Sequence, residues 1–223
     1  MVNARTSNAP VQPRIGVLAL QGDFAEHIQM LDLIGIHAVE VRKVDQLSEI
    51  DGLIIPGGES TTIVKLLVRF GFIDELRAHV ESGMALWGTC AGMIVIAREL
   101  ADPYPTPLNL LDIGVARNYF GRQVDSFEAE IVIEGVVGDP MRAVFIRAPV
   151  VKDIGVGVET IATLDDGQAV AVKKGRVLAT SFHPELTTDT RLHALFVQLA
   201  REAAESQALP ASAEATEEIS STA

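Results

Sequence analysis

The chain has 223 residues, with 18 Lys and Arg against 30 Asp and Glu and a formal net charge of −12. Hydrophobic residues make up 48% and charged residues 22%, which excludes a wholly disordered chain and allows one domain with a sizeable core. The acidic balance argues against nucleic-acid binding, and the single cysteine excludes internal disulfides and Cys-rich zinc sites.

Residues 1–13 are rich in Asn, Ala, Pro and Gln and lack apolar periodicity, so a disordered arm is expected there. Ile15 to Leu20 reads as a buried parallel strand and is too short for a secretory apolar segment. A helix follows, with Asp23 as its N-cap, Phe24, Ile28 and Leu31 on one face, and Gly35 as its stop. Ala38 to Val41 and Gly52 to Ile55 read as strands, and Thr61 to Phe70 and Ile73 to Val80 as helices. Ala85 to Trp87 is a strand, and Met93 to Leu100 is expected to be helical. The weakly polar run Met84 to Ala97 is broken by Gly88, Thr89 and Gly92 and is too short to cross a membrane.

From Val115 to Phe182 the pattern turns to short β-rich segments, expected to add strands to one end of the sheet. A final helix carries Leu192, Leu195, Phe196 and Leu199. The domain is expected to span 14–204, with 205–223 a disordered acidic tail lacking Lys and Arg. Alternating strands and helices imply an α/β fold, a mostly parallel sheet flanked by helices on both faces. Ligands in such folds bind beyond the carboxyl ends of the strands.

Three segments at those ends carry chemistry. Gly88-Thr89-Cys90-Ala91-Gly92 places a nucleophile between small residues at a strand-to-helix turn, the geometry of a nucleophile elbow. Cys90 would lie at a helix N-terminus, whose partial positive charge favours an anion, with the Ala91 N–H as an oxyanion donor. In His183-Pro184-Glu185, residues two apart in an extended chain face the same way, so Glu185 can orient His183. Pro56-Gly57-Gly58-Glu59-Ser60 offers a second oxyanion N–H at Gly58, or an ordinary turn with Glu59 or Ser60 capping the next helix. The remaining histidines, His27, His37, His79 and His193, read as surface or packing residues.

These motifs together resemble the class I (triad) glutamine amidotransferases. With Gly16 to Gly22, Ser60-Thr61-Thr62, Trp87, Met93 and Leu186 added, the pattern is similar to the PdxT/SNO family, the glutaminase subunits of pyridoxal 5'-phosphate synthase. The likeness extends from about Arg14 to about Ala204. It implies a three-layer, flavodoxin-like fold and hydrolysis of L-glutamine to L-glutamate and ammonia. Cys90 would be the nucleophile, His183 the general base and acid, and Glu185 its orienter. Gly58 and Ala91 would form the oxyanion hole, and Gly58, Glu59, Ser60, Arg117, Ile146 and Arg147 would contact glutamine. The implied partner is a PdxS/SNZ (β/α)8-barrel synthase, which uses the ammonia with ribose 5-phosphate and glyceraldehyde 3-phosphate. Gln21 is expected to touch both that partner and the oxyanion hole.

No cofactor, metal, nucleic acid or membrane is implied, and the location is expected to be cytoplasmic. Two alternatives stay open. One is another Cys-triad α/β hydrolase, a γ-glutamyl hydrolase or a DJ-1/PfpI-like protein, although the latter usually has His directly after the cysteine, where Ala91 stands here. The other is a catalytically inert regulatory subunit.

Overall fold

The computed structural model describes residues 12–117 and 126–208. Twelve strands and five α-helices are present among the described residues. The first half alternates: β1 (Ile15–Leu18), α1 (Phe24–Leu33), β2 (Val39–Val41), β3 (Gly52–Ile55), α2 (Ser60–Arg69), α3 (Phe72–Glu81), β4 (Ala85–Thr89) and α4 (Ala91–Ile96). A 3-10 turn, Val44–Glu49, links β2 to β3. The second half holds β5 (Ala97–Leu100), β6 (Leu111–Ala116), β7 (Ser126–Ile131), β8 (Met141–Ile146), β9 (Val150–Ile154), β10 (Glu159–Thr163), β11 (Ala169–Lys174), β12 (Val177–Thr180) and α5 (Arg191–Ala208).

A seven-stranded sheet runs in the order β10-β11-β12-β4-β3-β1-β2. The five strands from β12 to β2 are mutually parallel, while β10 and β11 add antiparallel pairs at one end. Period-two alternation splits the strand side chains between two cores. Leu18, Leu53, Ile55 and Leu86 pack with Leu67 of α2, Leu76 of α3 and Met93 of α4. Ile15, Val17, Ile54 and Trp87 pack with Leu31 of α1 and with Leu192, Phe196 and Ala200 of α5. The molecule is therefore three-layered, as the alternating pattern implied.

Several expectations change at the element level. The helix expected over Met93 to Leu100 stops at Ile96, and Ala97–Leu100 forms β5 instead. That strand pairs with β6 in a separate three-stranded sheet, β5-β6-β9, across which Arg98 bonds Asp112 on β6 and Asp153 on β9. The β-rich stretch thus does more than extend the main sheet, because β7 and β8 also pair as a separate antiparallel hairpin. Its core-facing side is an aromatic stack, with Phe127 and Phe145 rings 4.4 Å apart.

The arm over 1–13 and the tail over 205–223 lie largely outside the described residues. Within them, Pro13 is buried and Glu205 to Ala208 continue α5 past the expected domain end at 204.

Candidate active site

The parallel pairing of β4 with β12 aligns Thr89 with Thr180, so the two following segments leave the sheet side by side. Cys90 donates its backbone N–H to the Thr180 carbonyl at 2.8 Å. His183 donates its backbone N–H to Val144 on β8, also at 2.8 Å. Two sequence-distant motifs are thereby fixed at one end of the sheet.

Cys90 sits at φ 46°, ψ −104°, a conformation rare for a residue with a side chain. Glycines on either side make this turn possible. A Cβ on Gly92 would lie 2.0 Å from the Ile55 carbonyl oxygen, and one on Gly88 would lie 2.5 Å from the Gly92 carbonyl. The backbone therefore closes so tightly that the cysteine side chain is forced outward. The thiol is 3.9 Å from the Ile146 carbonyl oxygen. Ala91 opens α4, and first-turn N–H groups have no acceptor within their own helix.

His183 and Glu185 face each other across a 3-10 turn, Pro184–Leu186, and not along the extended segment expected from their spacing. The Nδ1 of His183 and Oε1 of Glu185 are 2.7 Å apart, and both residues are buried. Burial alone would lower the His183 pKa. Hydrogen bonds to Cys90 and Glu185 outweigh it and raise the value to about 10. Burial raises the Glu185 pKa, opposed by its bond to His183.

A cleft of about 550 Å³ joins Cys90 and His183 to Gln21, Gly58, Ser60, Ala91, Arg117 and the Ile146–Arg147 pair. Glu59 also lines it, but its carboxylate caps α2, accepting from the Thr61 and Thr62 N–H groups at 3.2 and 2.6 Å. Burial tends to raise its pKa, and these bonds win, lowering it. Gln21 uses Oε1 to accept the Glu59 N–H at 2.8 Å, holding the glycine loop against the end of β1. Arg117 has Nη1 3.3 Å from the Thr61 hydroxyl and Nε 3.9 Å from Asp102. Arg147 is exposed and adopts φ 44°.

Sequence reasoning missed the place of the Asp23 side chain and the bond between two buried histidines. Asp23, read as a cap, makes no side-chain cap bond; its Oδ2 lies in the cleft 3.6 Å from His183 Nδ1. His27 and His193, read as surface or packing residues, are fully buried and bonded to one another at 2.9 Å. A signal existed for His27. It continues the apolar face of Phe24, Ile28 and Leu31, and a polar residue inside such a stripe needs a buried partner. His37 is exposed, with Nδ1 hydrogen-bonded to Asp32 at 3.0 Å.

Asp23, His183 and Glu185 bring donor atoms within 4.8 Å of one another, a spacing that could bridge a cation. The short bond from Glu185 to His183 Nδ1 already joins two of those atoms, which fits an orienting pair better than a ligand set. A larger hollow of about 720 Å³ lies at the opposite end of the sheet, lined by Met84, Lys173, Arg176 and Leu199. None of Cys90, His183 and Glu185 lines it, so it is separate from this chemistry.

Comparison with known proteins points the same way. Residues 17–202 match the model of the SNO glutamine amidotransferase family. The pyridoxal 5'-phosphate synthase subunit PdxT of Dehalococcoides mccartyi is 55% identical over 191 residues, covering 85% of this chain and 98% of that protein. The PdxT subunit of Rhodococcus jostii is 50% identical over 198 residues, covering 85% and 98%. A crystal structure of a glutamine amidotransferase matches with a TM-score of 0.80 at 52% identity, covering 83% of this chain and 98% of its own. The structure of PurLQS from Thermotoga maritima shares the fold alone, with a TM-score of 0.57 at 17% identity over 88% of this chain and 99% of its own.

Proposed function

The chain belongs to the SNO glutamine amidotransferase family, and from that premise we propose that Cys90, His183 and Glu185 are its nucleophile, its general base and acid, and its orienting carboxylate. The protein is a glutaminase: it hydrolyses glutamine to glutamate and ammonia and supplies the ammonia to a synthase partner in pyridoxal 5'-phosphate synthesis. The observation that carries the residue assignment is the strained Cys90 turn opening into the same cleft as the His183–Glu185 pair.

In the reaction, the Cys90 sulfur attacks the side-chain amide carbon of glutamine, and His183 holds the thiol proton. The amide oxygen becomes an oxyanion, stabilised by N–H groups of Ala91 and Gly58. The C–N bond breaks as His183 passes its proton to the nitrogen, releasing ammonia and leaving a glutamyl thioester on Cys90. Water then adds to the thioester with His183 as base, and glutamate leaves as the thiol re-forms. Glu185 keeps His183 in the tautomer with the proton on Nδ1, so that Nε2 faces the sulfur.

Arg117 and Arg147 supply positive charge for the substrate carboxylate. Ser60 and the backbone at Gly58, Glu59 and Ile146 complete the contacts, the Glu59 side chain being engaged in its cap. The partner fitting this role is a (β/α)8-barrel synthase, and we place the reaction in the cytoplasm. Gln21 would transmit docking to the oxyanion hole through the Glu59 N–H. Among the described residues, no helix is long and apolar enough to cross a membrane.

Ammonia release from glutamine, measured with and without the synthase, tests this reading. Release that rises on adding the synthase is the expected result. Hydrolysis of γ-glutamyl peptides in preference to glutamine would overturn it.

A further inference from the structure

The geometry points to His27 as a positioning residue that sets its Nε2–H beside Glu185 Oε2 and is locked into that tautomer by His193. This inference rests on the triad reading above, because it concerns how Glu185 is held.

Glu185 uses only one of its oxygens on His183. Its other oxygen, Oε2, is buried and has no hydrogen-bond partner within ordinary limits. His27 Nε2 lies 3.4 Å from it, with both side chains wholly buried. The same Nε2 is 3.1 Å from the Thr89 hydroxyl, directly before the nucleophile. On its other edge, His27 Nδ1 is 2.9 Å from His193 Nε2. The Trp87 indole stands edge-on to both rings, at 5.6 and 5.0 Å, and confines them.

One nitrogen of the His27–His193 bond must donate, which leaves two arrangements. If His27 donated from Nδ1, its Nε2 lone pair could accept the Thr89 hydroxyl but would also face the buried Glu185 oxygen at 3.4 Å. The His193 Nδ1–H would also be buried with no acceptor, since that atom is without a partner. If instead His193 donates from Nε2, His27 carries its proton on Nε2, which donates to the Thr89 hydroxyl and faces Glu185 Oε2 at 3.4 Å. The only cost is a bare lone pair on His193 Nδ1, and an unpaired acceptor is tolerated better than an orphaned N–H. The second arrangement leaves the fewest groups unsatisfied.

Burial holds the His27 pKa well below its ordinary value and that of His193 at about 3, so both rings are neutral and the tautomer argument applies. The titratable groups facing this array are Asp23 before α1, His183 and Glu185 after β12, and His193 on α5. His183 holds Oε1, and His27 supplies the ring N–H that faces Oε2, so that together they favour an ionised Glu185, which keeps the proton on His183. Without the His27 N–H, burial would weigh more heavily against the Glu185 charge, and the His183 pKa would fall.

The test is a pH series of ammonia release by the complex with the synthase, using His27→Phe, His27→Gln, Glu185→Gln and the His27→Phe/Glu185→Gln pair. His27→Phe should lower kcat by about tenfold with KM for glutamine little changed, and should move the alkaline limb to lower pH. His27→Gln, which keeps an amide N–H, should recover most of the loss. In the Glu185→Gln background, His27→Phe should cost nothing further, because its effect passes through Glu185. Equal losses in both backgrounds, or an unmoved limb in His27→Phe, would overturn the inference.

If Glu185→Gln itself leaves the limb unmoved, the triad reading fails and this one with it. If only His27→Phe is silent, the triad stands and the role of His27 falls. Ring ¹⁵N NMR of the unaltered protein needs no variant. A proton on His27 Nε2 is expected, and a proton on Nδ1 would contradict it.

Discussion

His183 is where opposing local effects meet. Burial works against its charge, yet bonds to Cys90 and Glu185 raise its pKa to about 10 from 6.5. A raised pKa means the fold retains a proton that the unfolded chain gives up. The resulting stabilisation is complete below 6.5 and is lost as pH rises through about 10. In the proposed mechanism the same proton goes to the leaving ammonia, so the alkaline limb of kcat/KM should fall near pH 10. Glu185→Gln should bring that limb down toward the ordinary imidazole range and lower kcat by roughly 10² or more. A pH–rate series on the complex measures both.

His27 and His193 have the opposite sign. Their pKa values are depressed, so the unfolded chain binds protons that the fold refuses. Stability should therefore fall as pH drops below 6.5, continuing toward about 3 for His193. His193→Leu should flatten that decline, and urea unfolding at several pH values checks it; an unchanged slope would contradict the neutral assignment. At this scale Cys90, His183 and Glu185 were legible because each sits in a local motif. Asp23 was not, because an acidic residue before a helix reads as a cap and nothing local shows its side chain turning toward His183.

The elbow shows how much a single element depends on its glycines. Gly92→Ala would place a Cβ 2.0 Å from the Ile55 carbonyl oxygen, where only backbone movement can relieve the clash. It should cost about 3 kcal/mol or more, seen as a lowered urea midpoint. A change under about 0.5 kcal/mol would show that the turn is looser than described. Every residue of α4 is buried, so its apolar run carries no helical periodicity. That is why the switch to β5 at Ala97 escaped the sequence: a continuous apolar stretch suits a buried helix or a strand equally. The amphipathic helices α2, α3 and α5 were legible because each has one apolar face.

For the whole molecule, the alternating first half revealed the parallel sheet and the end at which the site lies. The partition of the second half into three sheets did not show, because short strands do not name their pairing partners. The proposed nucleophile and base depend on that long-range pairing, since β12 must lie beside β4 for His183 to meet Cys90. Coupling to the synthase is also a property at this scale. Gln21→Ala would remove the side chain that accepts the Glu59 N–H, and should lower synthase-activated hydrolysis by about tenfold. Unchanged activation would remove Gln21 from that role.

The most direct measurement compares ammonia release from glutamine by the unaltered protein and by Cys90→Ala, each in complex with the synthase. Release by the unaltered protein and none above background by Cys90→Ala, with synthase binding retained, is the expected result. Hydrolysis surviving in Cys90→Ala at a comparable rate would contradict covalent catalysis at this cleft.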